Sequence, residues 1–175
     1  MGRIGAACLL MMTGALPAAA AELPSRKAGL WEVKTSFENR GVAQTFQQCI
    51  DAATDQMLQS SAGPFSADAC AKREVQKSGD TTTIDSTCTL GGKTATSRAV
   101  VTGSFDSAYT MTVTSRSEAV PGGAVNMTIV GKWLGPCAKD QKPGDVIMPG
   151  GMKVNIPEMR SRFPSPIDPG APPPR

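Results

Sequence analysis

The chain has 175 residues, with 18 Lys and Arg against 15 Asp and Glu, a net charge of +3 and no histidine. A balance this close to neutral leaves no electrostatic footprint for nucleic acid or an anionic surface. The missing histidine removes the commonest general base, the commonest transition-metal ligand and the ordinary pH switch near neutrality.

Met1 to Ala21 reads as an export signal. Arg3 supplies the positive start, Ile4 to Leu16 form the apolar stretch, and Ala18-Ala19-Ala20-Ala21 offers small residues for cleavage after Ala20 or Ala21. The apolar run is shorter than the roughly 20 residues that cross a bilayer, which argues against an anchor. Cys8 precedes most of that run and is read as part of the signal. Removing the leader takes away Arg3 and no acid, so the net charge falls by one unit. The remaining 22–175 holds no second stretch of membrane length. The expectation is a periplasmic or secreted protein with no transmembrane segment in the mature chain.

The first mature element is a strand at Gly29–Glu38. Trp31, Val33, Thr35 and Phe37 point one way and Glu32, Lys34 and Ser36 the other, the period of two of a half-buried strand. Asn39-Arg40-Gly41 turns the chain. Val42–Ile50 returns with Val42, Phe46 and Ile50 on one face. Residues 51–59 break the alternation, with Asp51 as a helix cap and Asp55 in the early turns, and predict one short helix packing Ile50, Met57 and Leu58 inward. Residues 60–66, with Gly63-Pro64, read as loop. Five more strands follow, at Ala69–Lys77, Thr81–Leu90, Lys93–Gly103, Ala108–Ala119 and Ala124–Leu134. Ser78-Gly79-Asp80, Gly91-Gly92 and Val120-Pro121-Gly122-Gly123 make turns between them. In the last strand Val125, Met127, Ile129, Gly131 and Trp133 share a face and are expected to meet Tyr109, Met111 and Val113. Met111 and Met127 are expected to face each other. Together these elements predict an all-β antiparallel meander of about seven strands, curled or barrel-like to protect its edges, with one short helix.

Residues 22–138 thus form one disulfide-linked β domain. From Asp140 onward the prolines at 143, 149, 157, 164, 166, 169 and 172–174 are expected to prevent regular strands or helices. Residues 139–175 read as a Pro-rich, mobile tail, with at most a short docked segment at Val146–Met148 or Val154–Ile156. The proline run also has the composition of a ligand for an aromatic groove, although a solvated spacer is the simpler reading.

Four cysteines remain after the leader, and an oxidising compartment makes them two disulfides rather than a metal site. With the 78–80 turn centred on Gly79, Cys70 and Cys88 stand across the ladder from each other. Cys49 is then left with Cys137. No Cys-x-x-Cys pair suggests a thiolate metal centre.

No nucleophile elbow, phosphate-cradling glycine loop or zinc helix is present, and no catalytic residue is assigned. Glu32, beside Trp31, is the one acid inside a well-marked strand, and an outward position on a solvated face is its simpler reading. No cofactor and no metal site are expected. Met148, Met152 and Met159 are thioethers of the kind that bind Cu(I), yet they lack histidine support and lie in the tail. An apolar interior lined by Trp31, Val33, Phe37, Met111, Met127 and Trp133 is the most credible functional feature.

The order of these signals resembles that of a known family. Gly29-Leu30-Trp31-Glu32-Val33 opens the mature domain, Cys49 ends the second strand, Cys70 and Cys88 bracket a hairpin, and Gly131-Lys132-Trp133-Leu134-Gly135-Pro136-Cys137 closes it. Over Ala28–Cys137 the chain resembles an exported proteobacterial domain-of-unknown-function family that starts with Gly-x-Trp-Glu and ends near Gly-x-Cys. Many members carry a methionine- and proline-rich loop between the first two strands, where this chain has only Asn39-Arg40-Gly41. The resemblance implies no activity. The functional expectation is a non-enzymatic exported protein that binds an apolar small molecule or lipid. The alternatives are a structural or interaction protein of the cell envelope and, more weakly, a copper binder using the methionine tail.

Overall fold

The computed structural model describes residues 24–38, 41–61, 70–90, 92–118 and 124–162. The stretch read as an export signal, the expected turn residues at 39–40, 91 and 119–123, the segment 62–69 and the prolines from 164 onward lie outside the described residues. Among the described residues there are nine strands and two helices: β1 Gly29–Phe37, β2 Val42–Ile50, α1 Ala52–Ser61, β3 Cys70–Ser78, β4 Thr81–Leu90, β5 Lys93–Ser104, β6 Ala108–Ser117, β7 Ala124–Gly135, β8 Asp145–Ile147, β9 Lys153–Asn155 and α2 Ile156–Arg162. Among the described residues no helix is long and apolar enough to cross a membrane.

All nine strands belong to one antiparallel sheet in the order β3-β4-β5-β6-β7-β1-β2-β8-β9. The expected seven-strand meander is therefore corrected to a five-strand meander, β3 to β7, with the β1–β2 hairpin docked on β7. The reason lies in what each neighbour offers. Trp31 and Thr35 of β1 stand opposite Trp133 and Ile129 of β7, whereas β3 carries Lys72, Arg73, Glu74 and Lys77. The chain leaves β2 through α1 rather than a tight turn, so β3 is free to start elsewhere. Nor does the sheet close into a barrel, because β3 and β9 end it without pairing to each other. Charge on β3 and the three-residue length of β9 guard the edges instead.

The period of two carries through the ladder. Tyr109, Met111 and Val113 stand opposite Gly131, Ile129 and Met127, on the face that also holds Trp31 and Val33. Met111 and Met127 are thus diagonal neighbours rather than direct partners. The core consists of Trp31, Val33, Ile50, Ile84, Ala99, Val101, Tyr109 and Val113. The other face is rich in threonine and charge, as where Asp85 meets Arg98 in a bidentate pair at 2.7 and 3.1 Å.

The disulfides are Cys49–Cys137 and Cys70–Cys88. The second comes about through a register different from the one expected. Ser78 faces Thr81, so Gly79-Asp80 forms a two-residue turn and the ladder runs one residue away from a turn centred on Gly79. A bulge between Cys70 and Lys72 then restores Cys70 to Cys88.

Helix α1 starts on a reciprocal cap. The Thr54 N–H donates to Asp51 Oδ1 at 2.8 Å, and the Asp51 N–H donates to Thr54 Oγ1 at 2.9 Å. The Thr54 hydrogen bonds hold the Asp51 carboxyl below the usual carboxylate range.

Residues 139–162 form regular elements where the prolines were expected to prevent them, and the docked segments expected at Val146–Met148 or Val154–Ile156 overlap β8 and β9. Strand β8 pairs with the edge of β2 at Gln47–Ile147 and Gln48–Val146, and β9 pairs with β8. The prolines stand where they do no harm. Pro149 sits in the β8–β9 turn, and Pro157 occupies the first turn of α2, where no backbone N–H partner is needed. Asn155 caps that helix by accepting the Glu158 N–H at 3.1 Å.

Asp145 anchors this segment. It is buried, accepts the Lys142 N–H at 3.0 Å and the Asn155 amide at 2.9 Å, and lies 4.0 Å from the Lys153 ammonium. Burial raises its pKa, but the Asn155 and Lys142 hydrogen bonds and the two lysine charges outweigh that and lower it. A native carboxyl that binds its proton less tightly than the unfolded one contributes its stability fully above the ordinary carboxylate pKa, and the contribution is lost as pH falls through the lower native value. Amide protection of 145–155 should therefore fall below about pH 4 while that of β1 and β6 persists. Asp145→Asn should remove the pH dependence, and unchanged protection of the wild-type segment down to pH 2–3 would contradict the anchor.

Candidate apolar binding face

The apolar face has a sealed end and an open side. At the sealed end, Arg26 enters just before β1 and meets Asp55 of α1. Asp55 is fully buried. Its Oδ2 accepts the Arg26 backbone N–H at 2.7 Å and the Gln59 amide at 2.8 Å, and its Oδ1 accepts Arg26 Nε–H at 2.8 Å. Arg26 Nη1 donates to Gln48 Oε1 at 3.0 Å, and the guanidinium lies 5.7 Å from the centre of the Trp31 ring. Tyr109 completes the cluster. Burial pushes its phenol pKa up, and the Arg26 charge and hydrogen bond oppose that rise. Its ring packs 5.7 Å from Trp31 and 5.0 Å from Phe105, centre to centre. Among the described residues no buried side-chain polar atom lacks a partner. The cluster is a satisfied polar anchor that joins the N-terminal segment, the helix and the sheet.

Two glycines make this end possible. A Cβ on Gly131 would lie 2.3 Å from Tyr109 Cε1, and one on Gly29 would lie 2.4 Å from the Gly135 carbonyl oxygen and 2.6 Å from Trp133 Nε1. The Gly-x-Trp at 29–31 and the Gly-x-Trp at 131–133 are therefore packing devices. Each glycine gives its space to an aromatic ring or a crossing backbone. The Trp31 and Trp133 indoles donate to the Lys27 and Ala28 carbonyls, at 2.8 and 3.2 Å. The Lys27 ammonium sits 3.8 Å from the centre of the Trp133 ring.

On the open side, Phe46, Leu58, Val75, Phe105, Met111, Met127, Ile129 and Trp133 are only partly buried against the core. Phe37 faces Met127 across β1 and β7, and Phe46 faces Val33 across β1 and β2. The six residues expected to line a cavity thus occupy one face, but in two different roles. Trp31 and Val33 are sealed inside the core. Phe37, Met111, Met127 and Trp133 remain partly accessible. Phe46, Leu58 and Ile129 join them. Alternation already placed Phe46 and Ile129 on this face, and Leu58 packs against the core as expected of the short helix.

The Arg26–Asp55 pair had no signature in the sequence. Asp55 reads as an acid favoured near a helix start, and Arg26 lies in a segment without periodicity. Glu32 stands on the opposite face, between Gln47 and Lys132. Among the described residues no group of three or more Cys, Asp or Glu side chains is placed to hold a metal ion.

These features define a class, an all-β domain made of one open antiparallel sheet, clamped by two disulfides and apolar on one face. Within that class, the chain belongs to the family described as protein of unknown function (DUF3617), whose model matches residues 26–137. The match begins at the buried Arg26 and ends at the disulfide-bonded Cys137, so β8, β9 and α2 lie outside it. No curated protein and no solved structure matches the chain.

Proposed function

We propose that this is an exported, non-enzymatic protein that holds an apolar small molecule or lipid chain against the open side of its sheet. One observation carries the reading. Phe46, Leu58, Met111, Met127 and Ile129, from β2, α1, β6 and β7, are only partly buried against the core, and Phe37 of β1 faces Met127 beside them. Such a surface loses free energy by covering, at about 25 cal/mol per Å² of apolar area removed from water. Methionine adapts to ligands of varied shape. The oxidised, leader-free protein should bind a fluorescent fatty-acid probe saturably. Met127→Lys and Met111→Lys should each weaken binding about tenfold, a loss of about 1.4 kcal/mol. Leu134→Lys, at a residue 43% exposed on the other face, should leave it unchanged. Absent binding, or equal losses from all three variants, would reject the reading.

A second reading, an interaction protein of the cell envelope, draws on the exposed Val130 and Leu134 of the outer face. It gains if crosslinking through position 134 in intact cells captures a partner and the fatty-acid probe fails to bind.

A further inference from the structure

We propose that the β8–β9 hairpin is a binding site for a soft monovalent cation of the Cu(I) class, held between the thioethers of Met148 and Met152. The hairpin brings the two residues together. The Met148 N–H donates to the Met152 carbonyl at 2.8 Å, and the Gly151 N–H donates to the Met148 carbonyl at 3.0 Å. Pro149 sets the first corner of that turn. Gly150 and Gly151, at φ of 90° and 85°, occupy the left-handed positions that follow. Ile147 faces Lys153 at the end of the ladder, and Met148 and Met152 are the next residues outward, joined by the backbone bond between them. Directly opposed residues in an antiparallel hairpin have Cβ atoms about 4.5–5.5 Å apart. Two unbranched side chains of three rotatable bonds each can bring their sulfurs onto one ion from that separation.

Packing does not account for Met152, while Met148 is half-buried. Met152 is 63% exposed, and a methionine that fills a core gap is buried. Histidine is absent and Cys49, Cys70, Cys88 and Cys137 are bound in disulfides, so the competing soft donors among the described residues are the other methionines, Met57, Met111, Met127 and Met159. Thioether donors select soft ions such as Cu(I) over Zn(II) or Mg(II). The neighbouring Lys153 does not present a free charge, because its ammonium donates to the Asp140 carbonyl at 2.6 Å and to the Asp140 carboxylate at 3.2 Å. The hairpin lies beyond the family match at residues 26–137, and the site is proposed for this chain alone.

Ag(I) is the probe of choice, because it shares the softness and charge of Cu(I) and needs no reductant that would open the disulfides. Leader-free, oxidised protein with 13C-labelled methionine methyls would be titrated with silver nitrate in chloride-free buffer and followed by NMR. The expected result is saturation at one ion per chain, with the Met148 and Met152 methyls shifting and those of Met111 and Met127 unmoved. Met148→Ile and Met152→Ile should each weaken binding by about tenfold or more, with the β8–β9 amide signals retained as a check on folding. Met159→Ile, at a residue 44% exposed on α2, should stay within about twofold of wild type. Shifts spread evenly over all the methionines, or full affinity in Met152→Ile, would overturn the site.

Discussion

Asp55→Ala is expected to lower the unfolding free energy by about 3–5 kcal/mol, because it strands the Arg26 guanidinium in a buried site with its main partner gone. Asp55 also holds the Arg26 backbone N–H and the Gln59 amide. The variant therefore loosens the entry of the chain into β1 and the docking of α1 together. Against a total of roughly 5–15 kcal/mol for a domain of this size, the loss threatens folding itself. Asp55→Asn keeps an acceptor and should cost less. The pair Arg26→Met with Asp55→Leu should recover much of the loss, because it removes both charges from the interior. Urea or thermal unfolding of the four proteins measures the order. An Asp55→Ala protein as stable as wild type would mean that water replaces the carboxylate and that the end described as sealed is open.

The two disulfides should contribute unequally. Cys49–Cys137 closes a loop of 88 residues and Cys70–Cys88 one of 18. In the chain-entropy description the longer loop is worth closer to 5 kcal/mol and the shorter roughly 3. The fold adds to the difference. Cys70 and Cys88 lie in a hairpin already joined by its ladder, whereas Cys49 and Cys137 tie the end of β2 to the segment leaving β7. The Cys49 carbonyl also accepts the Gly144 N–H at 2.8 Å, next to the start of β8. Replacing Cys49 and Cys137 with Ala should therefore lower the melting temperature more than replacing Cys70 and Cys88, and should also reduce amide protection in β8. Equal melting temperatures would refute the ranking.

Local pattern made much of this architecture legible. Alternation along β1 and β7 assigns Trp31, Val33, Phe37, Met127, Ile129 and Trp133 to one face, and the ladder keeps them there. Asp51 marks the start of α1, and the glycine-containing turns bracket the strands. The register of the β3–β4 hairpin was less accessible. The pairing of Cys70 with Cys88 follows from a turn centred on Gly79, yet the chain reaches it with a two-residue turn and a compensating bulge. A bulge leaves no mark on period-two reading, because it changes which residues are opposed without changing which residues are apolar. The segments expected to dock at Val146–Met148 or Val154–Ile156 overlap β8 and β9, but the prolines do not prevent regular strands there. Prolines rule out long elements, but β8 and β9 need only three residues each, and these fit between the prolines.

By itself, then, the order of residues determined the strands, the two-faced character of the sheet, the cysteine pairs and the absence of a familiar catalytic motif, because each depends on neighbours a few positions apart or on simple counting. Only the tertiary structure decided that β7 pairs with β1, that the sheet stays open, that Trp31 and Val33 are sealed while Phe37, Met111 and Met127 remain accessible, and that Arg26 and Asp55 share one buried site. Those outcomes depend on segments distant in sequence competing for the same apolar surface. Such a competition is resolved by shape and desolvation in three dimensions, and a linear pattern does not encode the winner.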